Sequence, residues 1–164
     1  MPLYSANALI SQARKLAAEY RRTMGKPLPG ISNEIALHDA MELLRLQPAP
    51  EGGMGYDAID PARDGLRIQI KSRTIFDESK SGQRIGQIKV DQEWDLVVLV
   101  LMDEEYEPYE IYELERGELL EQMARSSSKR ARRGALSIAR FKIIGRLVWT
   151  RDGGVGAEIW DNQG

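Results

Sequence analysis

The stretch YDAIDPARDGLRIQIKSR, residues 56–73, decides the fold. Its second half alternates without a break. Leu66, Ile68 and Ile70 point to one side of a strand, and Arg67, Gln69, Lys71 and Arg73 to the other, as the two-residue period of extended chain requires. Ahead of it, Pro61 to Gly65 carries turn chemistry, and Tyr56 to Asp60 reads as a short strand entering that turn. Two strands joined this tightly bring Asp57 beside the Gln69 and Lys71 side chains. A carboxylate, an amide and an amine then share one polar face of an otherwise apolar sheet.

Working outward, the chain before this hairpin is helical. Ser5 is a candidate N-cap, and Leu9, Ile10, Ala13, Leu16, Ala17 and Tyr20 recur at spacings of three and four until Gly25 and Pro27 stop the pattern. After the Pro29-Gly30 turn, Ser32 or Asn33 caps a second helix with Glu34 in its first turn and Ile35, Leu37, Ala40, Met41 and Leu44 on its buried side. Pro48, Pro50 and Gly52-Gly53 end it. Beyond the hairpin, residues 74–95 are polar with no clean period and read as a long loop. Asp95 to Met102 is a fully buried strand, because its apolar run leaves no polar face. An acidic turn follows, then a partner strand through Tyr109, Ile111, Tyr112 and Leu114, and a short helix over Glu115 to Ala124. Ala135 to Trp149 is apolar with basic interruptions and fits helix and strand equally. The tail from Gly153 to Gly164 is loose or an edge.

Composition bounds the possibilities. The chain has 164 residues, 42% apolar and 29% charged, which is enough for one domain and too little for two independent ones. The absence of cysteine excludes disulfides, thiolate metal sites and a cysteine nucleophile, and the single histidine, His38, excludes a multi-histidine metal centre. The longest apolar run, Leu96 to Met102, is far short of a membrane span, and residues 1–24 lack a signal-peptide apolar core. A soluble, cytoplasmic protein without a membrane partner is expected.

The net charge is only -2, but it is segregated. Residues 125–151 hold nine bases and no acid (Arg125, Lys129, Arg130, Arg132, Arg133, Arg140, Lys142, Arg146 and Arg151), whereas residues 1–124 hold 14 bases and 22 acids. Such a segment binds phosphates or packs on its own acidic body, and composition leaves both open. The expected organisation is a core over residues 1–124 and a basic C-terminal segment, 125–164, packed on it or extending from it.

The Asp57/Gln69/Lys71 face, with Glu34 on the preceding helix, offers hard oxygen ligands that suit Mg2+ or Mn2+. A lysine beside such a site orients or deprotonates a water, or neutralises charge building on a phosphate. The order of a helical Glu, an Asp, a hairpin with (D/E/Q)-x-K and a buried strand resembles the PD-(D/E)XK nuclease superfamily, over residues 31–114. This resemblance implies an α/β, restriction-endonuclease-like mixed β-sheet flanked by helices, here with an N-terminal helical pair and a basic C-terminal arm. It implies a Mg2+- or Mn2+-dependent endonuclease acting on DNA, and a homodimer. Carried over, Asp57 matches the metal-binding Asp, Gln69 stands where the family has Glu, Lys71 matches the Lys at the attacking water, and Glu34 matches the helical Glu. The metal set would be Asp57, Glu34 and Gln69. Arg67, Arg73, Lys129, Arg130, Arg132, Arg133, Arg140 and Lys142 would meet nucleic acid. The sequence departs from the pattern in four places: Tyr56 precedes Asp57 where the family has proline, Gln69 is neutral, Pro48 and Pro50 break residues 46–54 where the family's first strand would fall, and residues 77–94 show no helical period where its second core helix would fall.

Plainer readings stand beside these. Asp57 could cap a backbone amide at a strand start, and Asp60 is a rival carboxylate with turn chemistry at Asp60-Pro61. Gln69 and Lys71 could lie on the wet face of an antiparallel sheet. His38, one turn after Glu34, could hydrogen-bond it. Trp94, Trp149 and Trp160 are core residues or base-stacking platforms. The alternative to a nuclease is a nuclease-fold protein with a weakened site, acting as a nucleic-acid-binding or protein-interaction module. A third reading is self-association of the acidic body with the basic segment.

Overall fold

A computed structural model describes residues 5–50, 55–76, 83–86, 88–126, 129 and 135–155. The chain is α/β. Among these residues, seven strands form one mixed sheet in sequence order, and helices lie on both of its faces.

Helix α1 (Ala6–Met24) begins where the Ser5 side chain accepts the Ala8 N–H at 3.1 Å, and ends at Gly25, whose φ of +72° carries the chain out of the helix. Helix α2 (Ile31–Leu44) starts earlier than its polar residues suggest. Gly30, at φ +83°, is the N-cap, so Ser32 and Asn33 lie inside the first turn instead of capping it. Arg14 of α1 and Asp39 of α2 join the two helices through paired hydrogen bonds of 2.8 Å.

The sheet begins with β1 (Gln47–Pro48), an edge strand where a proline costs no ladder bond, followed by β2 (Ala58–Asp60). Asp60 accepts the Ala62 N–H and pairs with Arg63 to shape the 3-10 turn Pro61–Arg63. Its role is therefore structural. β3 (Leu66–Thr74) returns antiparallel to β2 and lies parallel to β4 (Leu96–Met102). β5 (Pro108–Glu115), β6 (Arg146–Thr150) and β7 (Gly154–Val155) continue antiparallel.

Alternation along these strands divides the core in two. Ile68, Ile70, Leu96, Val98, Val100 and Met102 pack against α1 and α2. Val97, Leu99, Leu101, Tyr112 and Leu114 pack against Ile85, Ile88 and Trp94, Leu119 of α3 (Arg116–Arg125), and Ile138 and Phe141 of α4 (Ile138–Ile144). Burial of this many aliphatic side chains, at roughly 25 cal/mol per Å² of apolar surface, is what makes the three layers cohere.

The stretch that fits helix and strand equally is one after the other. Ser137 caps α4 by accepting the Arg140 N–H at 3.1 Å, and Gly145 separates α4 from β6. A Cβ at Gly145 would lie 2.8 Å from the Phe141 carbonyl oxygen and 2.9 Å from that of Glu113, so only glycine allows the turn to seat against β5. The described part of the C-terminal segment thus packs into the sheet. Lys142 pairs with Glu110 at 3.3 Å, Arg146 with Glu113 at 2.5 Å and Arg151 with Asp103 at 2.7 Å. No described helix is long and apolar enough to cross a membrane.

Candidate active site

The site forms where β2 ends against β3. Regular pairing stops at Ala58 opposite Ile68. One residue earlier, the Asp57 N–H donates to the Ile68 carbonyl at 2.8 Å, and the Asp57 Oδ2 accepts the Ile70 N–H at 2.8 Å. The carboxylate therefore completes the β3 edge where β2 no longer can, which is the capping role considered above. It also fixes that carboxylate at Ile70, between Gln69 and Lys71.

Gln69 and Lys71 do not lie on a wet face. They share the sheet face covered by Trp94, α3 and α4, and Gln69 is only 8% exposed. The Gln69 Nε2 donates to the Gly55 carbonyl at 3.0 Å. Its Oε1 is one of three buried side-chain atoms without a hydrogen-bond partner among the described residues. A buried acceptor left unmade costs free energy unless something else meets it. Lys71 is half-buried. Burial holds its pKa below the ordinary lysine value; the nearby Asp57 carboxylate opposes this, and Arg73 and Lys89 add to it.

Arg73 has no carboxylate partner among the described residues. Its Nε donates to the Arg84 carbonyl at 2.7 Å and its Nη1 to the Ser72 carbonyl at 3.0 Å, and burial lowers its pKa as well. The crossover segment that supplies Arg84 is tied down in turn. Ile85 N–H reaches the Leu136 carbonyl at 3.1 Å, Ile138 N–H reaches the Gln83 carbonyl at 2.8 Å, and Arg84 Nη1 reaches the Ala135 carbonyl at 2.6 Å.

Other residues named from the sequence lie elsewhere. Glu34 is exposed in the first turn of α2, the helix on the opposite face. Arg67 is bound to Asp95 through Nε at 3.2 Å and Nη2 at 3.2 Å, which competes with any phosphate. Lys142 is held by Glu110 and stands 5.6 Å from the Tyr112 ring centroid. Arg140 is exposed on α4 and Lys129 is exposed, while Arg130, Arg132 and Arg133 lie outside the described residues. His38 meets Asn7 at 2.8 Å, not Glu34. Trp94 is core, and Trp149 is partly buried on β6.

Lys89 was not legible as a site residue. It sits in a segment without periodicity, and only its charge connects it with Lys71.

In sequence the chain matches no known family model, and no curated protein matches it.

In kind, the donors fit a hard divalent ion. Asp57 has a second carboxylate oxygen, and the Gln69 Oε1 is a buried acceptor without a partner among the described residues. In charge they fit less well, since Gln69 is neutral and no group of three acids, histidines or cysteines that could hold a metal occurs among the described residues.

Proposed function

We propose that this chain is a phosphodiester hydrolase of the PD-(D/E)XK type acting on DNA, with a restriction-endonuclease-like sheet. The observation that carries the reading is the placement of the Asp57 carboxylate at Ile70, between the buried Gln69 amide and the half-buried Lys71 amine. The element order agrees with it: a helix, Asp57 at the entry of a strand antiparallel to the one that bears the Gln-x-Lys unit, then a buried parallel strand.

In this mechanism Asp57 and Gln69 would hold Mg2+ or Mn2+, which when bound polarises a phosphoryl oxygen and makes its water acidic. Lys71, biased by burial toward its neutral form, takes a proton from the attacking water at Nζ. Arg73, pre-oriented by two backbone carbonyls, neutralises charge on the phosphate as the bond breaks. Trp94 and the α3–α4 layer cover this face of the sheet, and the lowered local dielectric strengthens each of these interactions.

Cleavage of mixed duplex, junction, flap and single-stranded DNA with Mn2+ or Mg2+, against EDTA controls, tests this directly. Metal-dependent products are expected from the wild type and none from Lys71→Ala. Undiminished cleavage by Lys71→Ala refutes the assignment. The neutral Gln69, standing where the PD-(D/E)XK pattern has a charged oxygen ligand, favours a second reading, a nuclease-fold protein that binds nucleic acid without cutting it. Salt-sensitive DNA binding with no cleavage under any metal would decide for that reading.

A further inference from the structure

The turn ahead of β4 is held more firmly than its polar sequence suggests. The Gln92 N–H donates to the Lys89 carbonyl at 3.4 Å, and the Trp94 indole Nε1 donates to that same carbonyl at 2.8 Å. The Gln92 carbonyl accepts the Trp94 N–H at 3.2 Å and the Arg116 Nη1 at 3.0 Å. Arg116, at the start of α3, also lies over the Trp94 ring at 4.7 Å and donates to the carbonyls of Trp94, at 3.0 Å, and Val90. Both main-chain groups of Gln92 are therefore tied, and its side chain stands on a fixed backbone.

Gly55 rests on that side chain. At φ +82°, a Cβ on Gly55 would fall 2.0 Å from the Gln92 Oε1 and 2.3 Å from the Gln92 Cβ, so Gln92 already fills the space a larger residue would need. On its other side Gly55 leads to Asp57, which binds β3 on either side of Gln69: its N–H at the Ile68 carbonyl and its carboxylate at the Ile70 N–H. Between these anchors the Gly55 carbonyl accepts the Gln69 Nε2 at 3.0 Å. Only the NH2 end of an amide can donate to a carbonyl, so this bond decides which end of Gln69 is left over. That end is Oε1, buried and without a hydrogen-bond partner among the described residues.

We propose that Gln92 is a positioning residue for Gln69. Its bulk braces Gly55, and the Gly55 carbonyl then holds the Gln69 amide with its oxygen as the free end. The consequence rests on the phosphodiester reading above. A hard divalent ion takes oxygen ligands, so a neutral amide serves in place of a carboxylate only if its oxygen, and not its nitrogen, is presented. The partner that orients a ligand carries much of the affinity: its loss typically weakens metal binding by about 10–100-fold.

The experiment uses the full chain, 15N-labelled and free of metal. The Gln69 side-chain NH2 resonances are identified by their absence in Gln69→Glu. Their protection from solvent exchange is compared in the wild type, Gln92→Ala, Gln92→Met and, as an exposed neighbour in the same turn, Glu93→Ala. Gln92→Ala is expected to lose the protection. Gln92→Met, which keeps the bulk, should retain it, and Glu93→Ala should leave it unchanged. Protection that persists in Gln92→Ala, or is absent from the wild type, overturns the proposal, and so does its loss in Gln92→Ala and Gln92→Met alike. Mn2+ calorimetry on the same proteins tests the reading separately. Affinity about tenfold weaker in Gln92→Ala is expected. If Gln92→Ala loses the protection while the wild type binds no Mn2+, or while the affinity is unchanged, the positioning stands and the metal role of Gln69 fails.

Discussion

Asparagine and alanine at position 57 separate two duties of one carboxylate. The Asp57 Oδ2 accepts the N–H of Ile70, a residue that is 3% exposed. A hydrogen bond to a charged acceptor contributes about 1.5–3 kcal/mol, a neutral one about 0.5–1.5 kcal/mol, and a buried amide left unpaired costs about 1–3 kcal/mol. Asp57→Asn keeps a carbonyl oxygen for Ile70 and loses only the charge, so it should cost about 1 kcal/mol. Asp57→Ala leaves the amide without its acceptor and should cost about 2–3 kcal/mol. The assay is urea unfolding, read as a shift of midpoint at constant slope. Cleavage responds differently. Both variants should lose it, because the remaining oxygen of asparagine is neutral or replaced by nitrogen. Equal stability losses in the two variants would refute the capping argument. Full cleavage by Asp57→Asn would remove the carboxylate from the chemistry.

Three further outcomes follow from the same geometry. Gly55→Ala must adopt φ +82° and place a Cβ 2.3 Å from the Gln92 Cβ, so a loss of about 2–4 kcal/mol is expected, partly recovered in the double variant with Gln92→Gly, as read by thermal unfolding. Gln69→Glu exchanges a donor to the Gly55 carbonyl for a carboxylate, so the metal-free protein should lose about 1–3 kcal/mol, while calorimetry should show tighter Mn2+ binding; unchanged metal affinity would place Gln69 outside any metal shell. Because burial lowers the Lys71 pKa, the folded chain binds fewer protons than the unfolded one between that lowered value and the ordinary lysine value. Stability should therefore rise with pH through this window and the cleavage rate with it, and Lys71→Met should flatten the stability slope in pH-dependent urea titrations.

The local signals in the sequence were reliable where one residue decided one event. Ser5 and Gly25 bound α1 because a side-chain oxygen and a left-handed φ act within a single turn. The strict alternation of β3 and the unbroken apolar run of β4 placed both strands, and Asp57 was found with its partners because a hairpin is short. What failed was long-range. Nothing near Arg67 in sequence announces Asp95 as its partner, and nothing near Lys142 announces Glu110. The 135–149 stretch was ambiguous because its division depends on Gly145 meeting the Glu113 carbonyl across two strands. Gly30 displaced Ser32 and Asn33 as the cap of α2 because the turn before it, not the polar residues after it, sets where the helix begins. Glu34 sits in the predicted first turn, yet that helix covers the other side of the sheet.

The clasp between residues 83–85 and 135–138 has a temporal consequence. The carbonyl that orients Arg73 belongs to a segment whose own anchors come much later in the chain, Ala135 following Arg84 by 51 residues. A nascent chain that has made β3, and even β4 and β5, holds the polar groups of the site without the brace that aims them. Competence would then wait until residues 135–138 are made, and clipping within the serine-rich stretch near residue 127 should silence the protein while leaving most of its strands in place.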